Sequence, residues 1–262
     1  VIMFKDRREN MDTVEKTVEY HELIMTLDSF GDLKDYSLPD GYKFEFWNKY
    51  GDIESWIDIH LSTGEFASMS EAREIFHEFY DSFRDELTKR CFFIVDERGE
   101  KVATSTVSPA NEFGYRCVVD WFAVRRDSQG RKLSKALLSR TVKLAKDLGY
   151  DKILLHTQTQ SPVAVKLYLD FGFNPFILDD KRGWDIIRTF FEHPKLKDFQ
   201  ILDVKGIYDP LLVNVKNNLD RLHDDYFYSV WYIDNRNDVF VNEKGKFFEY
   251  KFFDNGKILK KV

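Results

Sequence analysis

The sequence predicts an α+β protein built on one mixed, mostly antiparallel sheet. Three observations carry that expectation. Between residues 42 and 124, apolar and polar residues alternate in short runs bounded by turns, as half-buried strands do. From Leu133 the period switches to three and four, the spacing of one helix face. Beyond it come a strand-like run, a helix opened by proline and a second strand-like run, so helices and strands interleave. With 262 residues, 43% hydrophobic and 16% aromatic, the chain can bury a large core around such a sheet.

Residues 1–37, with "KDRREN", read as an N-terminal arm. Leu38-Pro39-Asp40-Gly41 signals a turn, and Tyr42–Trp47 ("YKFEFW") alternates after it as a strand. Asp52–His60 and Glu71–Arg90 have helical spacing. The second carries a capping box at Ser68 and Glu71 and an apolar stripe of Ile75, Phe76, Phe79 and Phe83. Cys91–Val95 and Val102–Val107 flank "DERGEK" as a hairpin, and Arg116–Val124 is a longer strand. In the next helix Leu133, Ala136, Leu137, Thr141, Leu144, Ala145 and Leu148 share a face, and Gly149 stands where the C-terminal cap belongs. Lys152–Thr157 is a short buried strand, Pro162–Phe171 a helix closed by Gly172, and Phe173–Leu178 a last strand. The predicted order is β-α-α-β-β-β-α-β-α-β, in a domain spanning 38–195.

Residues 196–262 read as a small α+β extension. "DPLLVNVKNNLDRLHDD" has the pattern of an amphipathic helix, and "YFYSVWYID", "DVFVNEKGKFFEYKFF" and "GKILKKV" that of strands. Its aromatics suit a cover for one sheet edge or a homodimer contact.

Charge bounds the partners. The 39 Lys and Arg against 45 Asp and Glu leave a formal charge of −6, which argues against nucleic acid and an anionic membrane as partners. No apolar run approaches the roughly 20 residues that span a bilayer, and "VIMFKDRREN" lacks the apolar core of a signal peptide, so the expected compartment is the cytoplasm. Cys91 and Cys117 sit in strand-like runs without metal-ligand spacing, and read as buried thiols with no metal site.

One stretch opposes the overall sign. From Trp121 to Lys146 there are eight basic residues and a single acid, Asp127. Within it "VRRDSQGRKLSK" turns from a strand into a helix, where successive backbone N–H groups lack helical partners and point outward at the positive end of the dipole. That geometry binds anions. Gly130 supplies conformational freedom and removes the side chain that would hold a phosphate off. A hydrogen bond to a charged group contributes about 1.5–3 kcal/mol, an exposed ion pair about 0–1 kcal/mol. The amides from Gly130 to Ser134 therefore outweigh the side chains of Arg131 and Lys132. Neither a Walker loop nor a Rossmann fingerprint is present.

"VVDWFAVRRDSQGRKLSKALLSRTVKLAKDLGY" and "KILLHTQTQSPVAVKLYLDFGF" together resemble two motifs of the GCN5-related N-acetyltransferases. Val124, Gln129, Gly130, Leu133 and Ala136 to Leu138 fall in register with the first motif; Ala164, Leu167, Tyr168, Gly172 and Phe173 with the second. The resemblance runs from about Tyr42 to about Leu178. It implies α/β/α layers, with the sheet splayed between two parallel strands, and acetyl-CoA as co-substrate. Backbone groups of Phe122, Ala123 and Val124 would pair with the pantetheine arm. Amides of Gln129, Gly130, Arg131, Lys132, Leu133 and Ser134 would cradle the pyrophosphate, with Thr157, Ser161 and Ala164 flanking the coenzyme. Several positions depart from the family pattern: Lys132 stands where Gly or Ala is usual, Ser161 where Asn is usual, Arg125 and Arg126 where a proline is common, and Asp127 places a negative charge at the mouth of the turn.

The resemblance makes Tyr168 the acid that protonates the departing thiolate. A phenol near pKa 10 and a thiol near 8.5 are close enough for useful proton sharing. By spacing alone, Tyr168 is equally one member of a helical core face with Ala164, Leu167 and Phe171. The acceptor amine must be deprotonated, and Asp120 is the candidate base, with substrate binding or loop anchoring as alternatives. Alternation sets Asp120 on the face of Val118, Phe122 and Val124. His156 is a second candidate base or a satisfied buried histidine, and Glu65 an acceptor-pocket residue or a solvated loop acid. The expected function is direct acetyl transfer to a small-molecule or peptide amine, the alternative a non-catalytic acyl-CoA-binding module on the same fold.

Overall fold

The computed structural model describes residues 16–31, 35–48, 51–109, 117–176 and 181–197, and four later strands. In chain order the elements are β1 (Glu22–Leu27), β2 (Lys43–Phe46), α1 (Asp52–Thr63), α2 (Met69–Tyr80), α3 (Leu87–Arg90), β3 (Cys91–Val95), β4 (Lys101–Pro109), β5 (Cys117–Val124), α4 (Leu133–Asp147), β6 (Ile153–Gln158), α5 (Pro162–Phe171), β7 (Asn174–Phe176) and α6 (Arg182–Ile187). They form a seven-stranded sheet in the order β2-β3-β4-β5-β6-β1-β7. All neighbours run antiparallel except β5 and β6. The fold is α+β with a mixed, mostly antiparallel sheet, as the sequence predicts.

Helices cover both faces. Along β3, Phe92 and Ile94 join the core under α4 and α5, while Cys91, Phe93 and Val95 join the core under α1 and α2. Period-two alternation separates the two sets. The cap of α2 forms as expected: Ser68 Oγ accepts from the Glu71 amide at 3.2 Å, while Glu71 Oε2 accepts from the Ala67 amide at 2.8 Å.

Three expectations need correction. Residues 22–27 are not part of an arm, because β1 lies inside the sheet between β6 and β7, buried at every residue after Glu22. "ELIMTL" shows no alternation because both its faces are covered. The helix expected over Glu71–Arg90 is broken: α2 stops at Tyr80, a 3₁₀ segment covers Asp81–Glu86, and α3 completes the span. Anchors fix both ends of that break. Tyr80 Oη donates to Thr106 Oγ1 at 2.9 Å, and the fully buried Arg90 donates to the Val107 carbonyl and Tyr150 Oη at 3.4 and 3.3 Å. Thirdly, α6 had no sequence signal. It is held by Trp184, whose Nε1 donates to the Phe176 carbonyl at 3.3 Å, and by Gly183, where a Cβ would come within 2.8 Å of the Leu23 side chain.

In the extension, β8 (Tyr228–Ile233), β9 (Asp238–Glu243), β10 (Lys246–Phe252) and β11 (Ile258–Lys261) form a separate antiparallel sheet in the order β11-β10-β9-β8. The helix expected at 209–225 lies outside the described residues, as do residues 1–15 of the arm. Among the described residues no helix is long and apolar enough to cross a membrane.

Candidate active site

Among the described residues, the sheet opens where its one parallel pair, β5 and β6, ends. Cys117, Val118 and Val119 pair with Ile153, Leu154 and Leu155, and among the described residues no pairing of β5 with β6 continues beyond them. Asp120–Val124 and His156–Gln158 therefore flank a gap through the sheet. A β-bulge reshapes one side of it: Thr104 is opposite Ala123 and Thr106 opposite Asp120, so Ser105 faces both Trp121 and Phe122. Trp121 takes φ +50°, a left-handed conformation uncommon for so large a residue.

The bulge overturns the expected alternation. Val118 and Asp120 keep to the α1/α2 face, but Phe122 and Val124 turn to the α4/α5 face, where they meet the core containing Tyr168. Asp120 and Tyr168 thus stand on opposite faces of the sheet, either side of the gap.

The predicted anion turn follows β5 directly. Gly130 has φ +76° and Lys132 φ +65°, and Lys132 is the residue before α4, with no side chain capping the helix. A small residue is usual at that position because a left-handed conformation costs an ordinary side chain about 1–2 kcal/mol. Among the described residues the amides of Gly130, Arg131, Lys132, Leu133 and Ser134 have no acceptor. A Cβ on Gly130 would meet nothing within 4 Å, so the space over the turn is open. Consecutive free amides at the head of the 15-residue helix α4 suit a phosphate-type anion.

The basic side chains are largely committed elsewhere. Arg125 holds Asp127 through Nε–Oδ1 at 3.0 Å and a second contact at 2.5 Å, which lowers the Asp127 carboxyl to about 2. Arg131 donates to Tyr42 Oη at 3.0 Å and to the Asp127 carbonyl at 3.1 Å. Gln129 Nε2 donates to the Val124 carbonyl at 3.0 Å, closing the turn and engaging one backbone group expected to face the pantetheine arm.

On the α4/α5 face Tyr168 is 5% exposed, with its ring 5.8 Å from those of both Phe122 and Phe173. Its hydroxyl has no hydrogen-bond partner among the described residues, and burial raises its pKa above the ordinary value. It therefore keeps its proton through neutral pH. Thr157, Ser161 and Ala164, all half-buried, line the strand-to-helix connection beside it.

The α1/α2 face carries residues that sequence reasoning missed. The Trp121 ring lies 5.2 Å from Trp56, 5.3 Å from His60, 5.4 Å from Phe66 and 5.1 Å from Phe79. The fully buried Tyr80 has its hydroxyl raised first by burial and then by Asp120, which ties the base candidate to this side. His60 is 3% exposed with Nε2 unpartnered. Burial lowers its imidazole to about 3 against a hydrogen bond with the Trp121 backbone, so it stays neutral. No local signal marks this cluster, because its members come from α1, the loop after it, α2 and β5 and meet only in the folded chain.

At the rim, Glu65 is exposed in the loop between α1 and α2, its carboxyl pKa raised by desolvation. His156 is exposed rather than buried and pairs with Glu22 at 2.8 Å. Cys91 and Cys117 are free and buried, and burial pushes the Cys91 thiol to about 11. Among the described residues no group of three or more His, Cys, Asp or Glu side chains could hold a metal ion.

Residues 53–173 match the Acetyltransferase (GNAT) family. Similar solved structures include a GCN5-related N-acetyltransferase from Sphaerobacter thermophilus, with TM-score 0.49 and 18% identity over 59% of this chain and 48% of that one. A GCN5-related N-acetyltransferase from Kribbella flavida has TM-score 0.41 and 13% identity over 60% and 56%, and a GNAT-family acetyltransferase from Colwellia psychrerythraea 0.46 and 13% over 60% and 54%. This chain spans about half the length of these structures. No curated protein matches it.

Proposed function

Residues 53–173 belong to the acetyltransferase (GNAT) family, and on that premise we propose that this chain transfers an acetyl group from acetyl-CoA directly to an amine. The observation that carries the proposal is the run of amides from Gly130 to Ser134, without acceptors among the described residues, at the head of α4 beside the gap. These groups and the open space at Gly130 fit the coenzyme's pyrophosphate. Bound there, acetyl-CoA supplies a thioester carbonyl activated for attack.

The protein's own groups do the rest. The edge of β5 that β6 leaves uncovered, Phe122 to Val124, orients the pantetheine arm as a further strand would. Asp120 takes one proton from the acceptor nitrogen, directly or through water, as the C–N bond forms. Tyr168 delivers one proton to sulfur as the C–S bond breaks, so protons balance across the two faces of the gap. Direct transfer is favoured because Cys91 and Cys117 are both buried, and burial pushes the Cys91 thiol up to about 11.

Thermal unfolding with and without ligands tests the proposal. Acetyl-CoA and CoA should both raise Tm while ATP does not, and thiol release should follow when amines are added. Absence of any shift with either coenzyme sinks the reading, whereas a shift without thiol release from any amine leaves a coenzyme-binding module.

A further inference from the structure

The end of α1 lies against β5, and two of its side chains reach the β5 backbone and the turn after it. His60 sits in a wall of rings, with its own ring 4.3 Å from Trp56 and 5.3 Å from Trp121. Its hydrogen bond is to the Trp121 backbone and favours the protonated ring, so a ring N–H donates and the carbonyl accepts. Nε2 has no partner among the described residues, which leaves Nδ1 as the donor. Two residues on, Ser62 Oγ donates to the Ile59 carbonyl at 2.7 Å and accepts from the Arg126 amide at 3.2 Å.

These two bonds bracket Phe122, Ala123 and Val124. On one edge β4 pairs with that segment, Thr104 opposite Ala123 and Ala103 opposite Val124, while the pairing of β6 stops at Val119. The ends need support of their own. Before Phe122 the bulge opposite Ser105 disrupts the ladder, and Trp121 takes φ +50°. After Val124 the chain leaves the sheet, and Arg126 opens the 3₁₀ segment Arg126–Ser128 that leads to Gly130. His60 holds the first end and Ser62 the second.

We propose that His60 and Ser62 are positioning residues, which set the line of Phe122 to Val124 for the pantetheine arm of the coenzyme. This rests on the acetyl-transfer reading above and assigns what aligns its coenzyme edge.

Histidine has no other evident use at that place. Burying Nε2 without a partner is unfavourable, and an apolar side chain would pack among the same rings without that penalty. The bond to Trp121 is what the imidazole adds. A bulky residue in a left-handed conformation persists only where its surroundings over-determine it. Here Trp56, Phe66 and Phe79 enclose the Trp121 side chain while His60 holds its backbone.

Calorimetric titration of CoA into the purified chain reads this alignment without an acceptor amine. His60→Leu should weaken CoA binding by roughly tenfold and Ser62→Ala by roughly threefold, as release of one hydrogen bond at either end of the edge predicts. His60→Asn, whose side-chain N–H can stand where Nδ1–H does, should recover to within about threefold of wild type. Ile59→Val trims the same buried core from the same helix, and should lower Tm while leaving the Kd for CoA unchanged. Unchanged binding in both His60→Leu and Ser62→Ala, no recovery in His60→Asn, or an equal loss in Ile59→Val would overturn the inference. Ser62 is half-buried at the helix end, so its variant should fold and decides the question if His60→Leu does not. Where the wild-type chain binds CoA, acetyl transfer stands whatever the variants do, and where it does not, both readings fall.

Discussion

The two faces of the sheet at the gap are built in opposite ways. On the α4/α5 face the candidate anion turn is backbone: amides of five consecutive residues, with conformation set at Gly130 and Lys132. On the α1/α2 face the wall is side chain: Trp56 and His60 from α1, Phe66 from the loop, Phe79 from α2 and Trp121 from β5. A backbone site constrains few side chains and leaves the rest of its sequence free. A side-chain site depends on distant segments meeting, and each member matters.

Tyr168, buried on the α4/α5 face between Phe122 and Phe173, should give the largest effect. Tyr168→Phe should lower kcat on the order of 10²-fold with little change in KM for acetyl-CoA, because it removes a proton that acts only as sulfur departs. Steady-state kinetics with a saturating amine would check this. An unaltered kcat would remove the acid role and shift attention to the opposite face.

His60 tests the side-chain face next. Its imidazole is at about 3 when folded, against an ordinary 6.5, so the unfolded chain takes up a proton that the native one refuses. Stability attributable to His60 is therefore complete above pH 6.5 and declines as pH falls toward 3, by about 1.4 kcal/mol per pH unit. Urea unfolding of wild type and His60→Leu at pH 7 and pH 5 would isolate that slope. The variant should lose less stability between the two pH values, and identical losses would mean that His60 titrates normally.

The smallest effect belongs to the backbone of the turn. Lys132 holds φ +65° without a glycine's freedom, and Lys132→Gly should raise stability by about 0.5–1 kcal/mol. A modest rise in Tm without loss of acetyl-CoA binding is expected. A fall would mean that the lysine side chain contributes more than its conformation costs.

What could be read from the sequence divides along the same line. The strand and helix order from β2 to β7 was legible because each element has its own period, and the turn after β5 because its residues are contiguous. β1 was not, since a strand buried on both faces reads as a plain apolar run. The break between α2 and α3 was hidden because its anchors, Tyr80 and Arg90, act through Thr106, Val107 and Tyr150 on other elements. His156 was misjudged as buried because its exposure and its pairing with Glu22 depend on where β1 joins β6.

By itself the sequence determined the layered α+β fold, the family motifs and the amide turn at Gly130, since periodicity and turn chemistry are local properties. Only the tertiary structure decided that Asp120 and Tyr168 lie on opposite faces, and that Trp121 gathers His60, Trp56, Phe66 and Phe79 around it. The physical reason is one extra residue. At the bulge Ser105 faces both Trp121 and Phe122, so the side-chain alternation inverts midway along β5, and that pairing exists only once β4 and β5 have met.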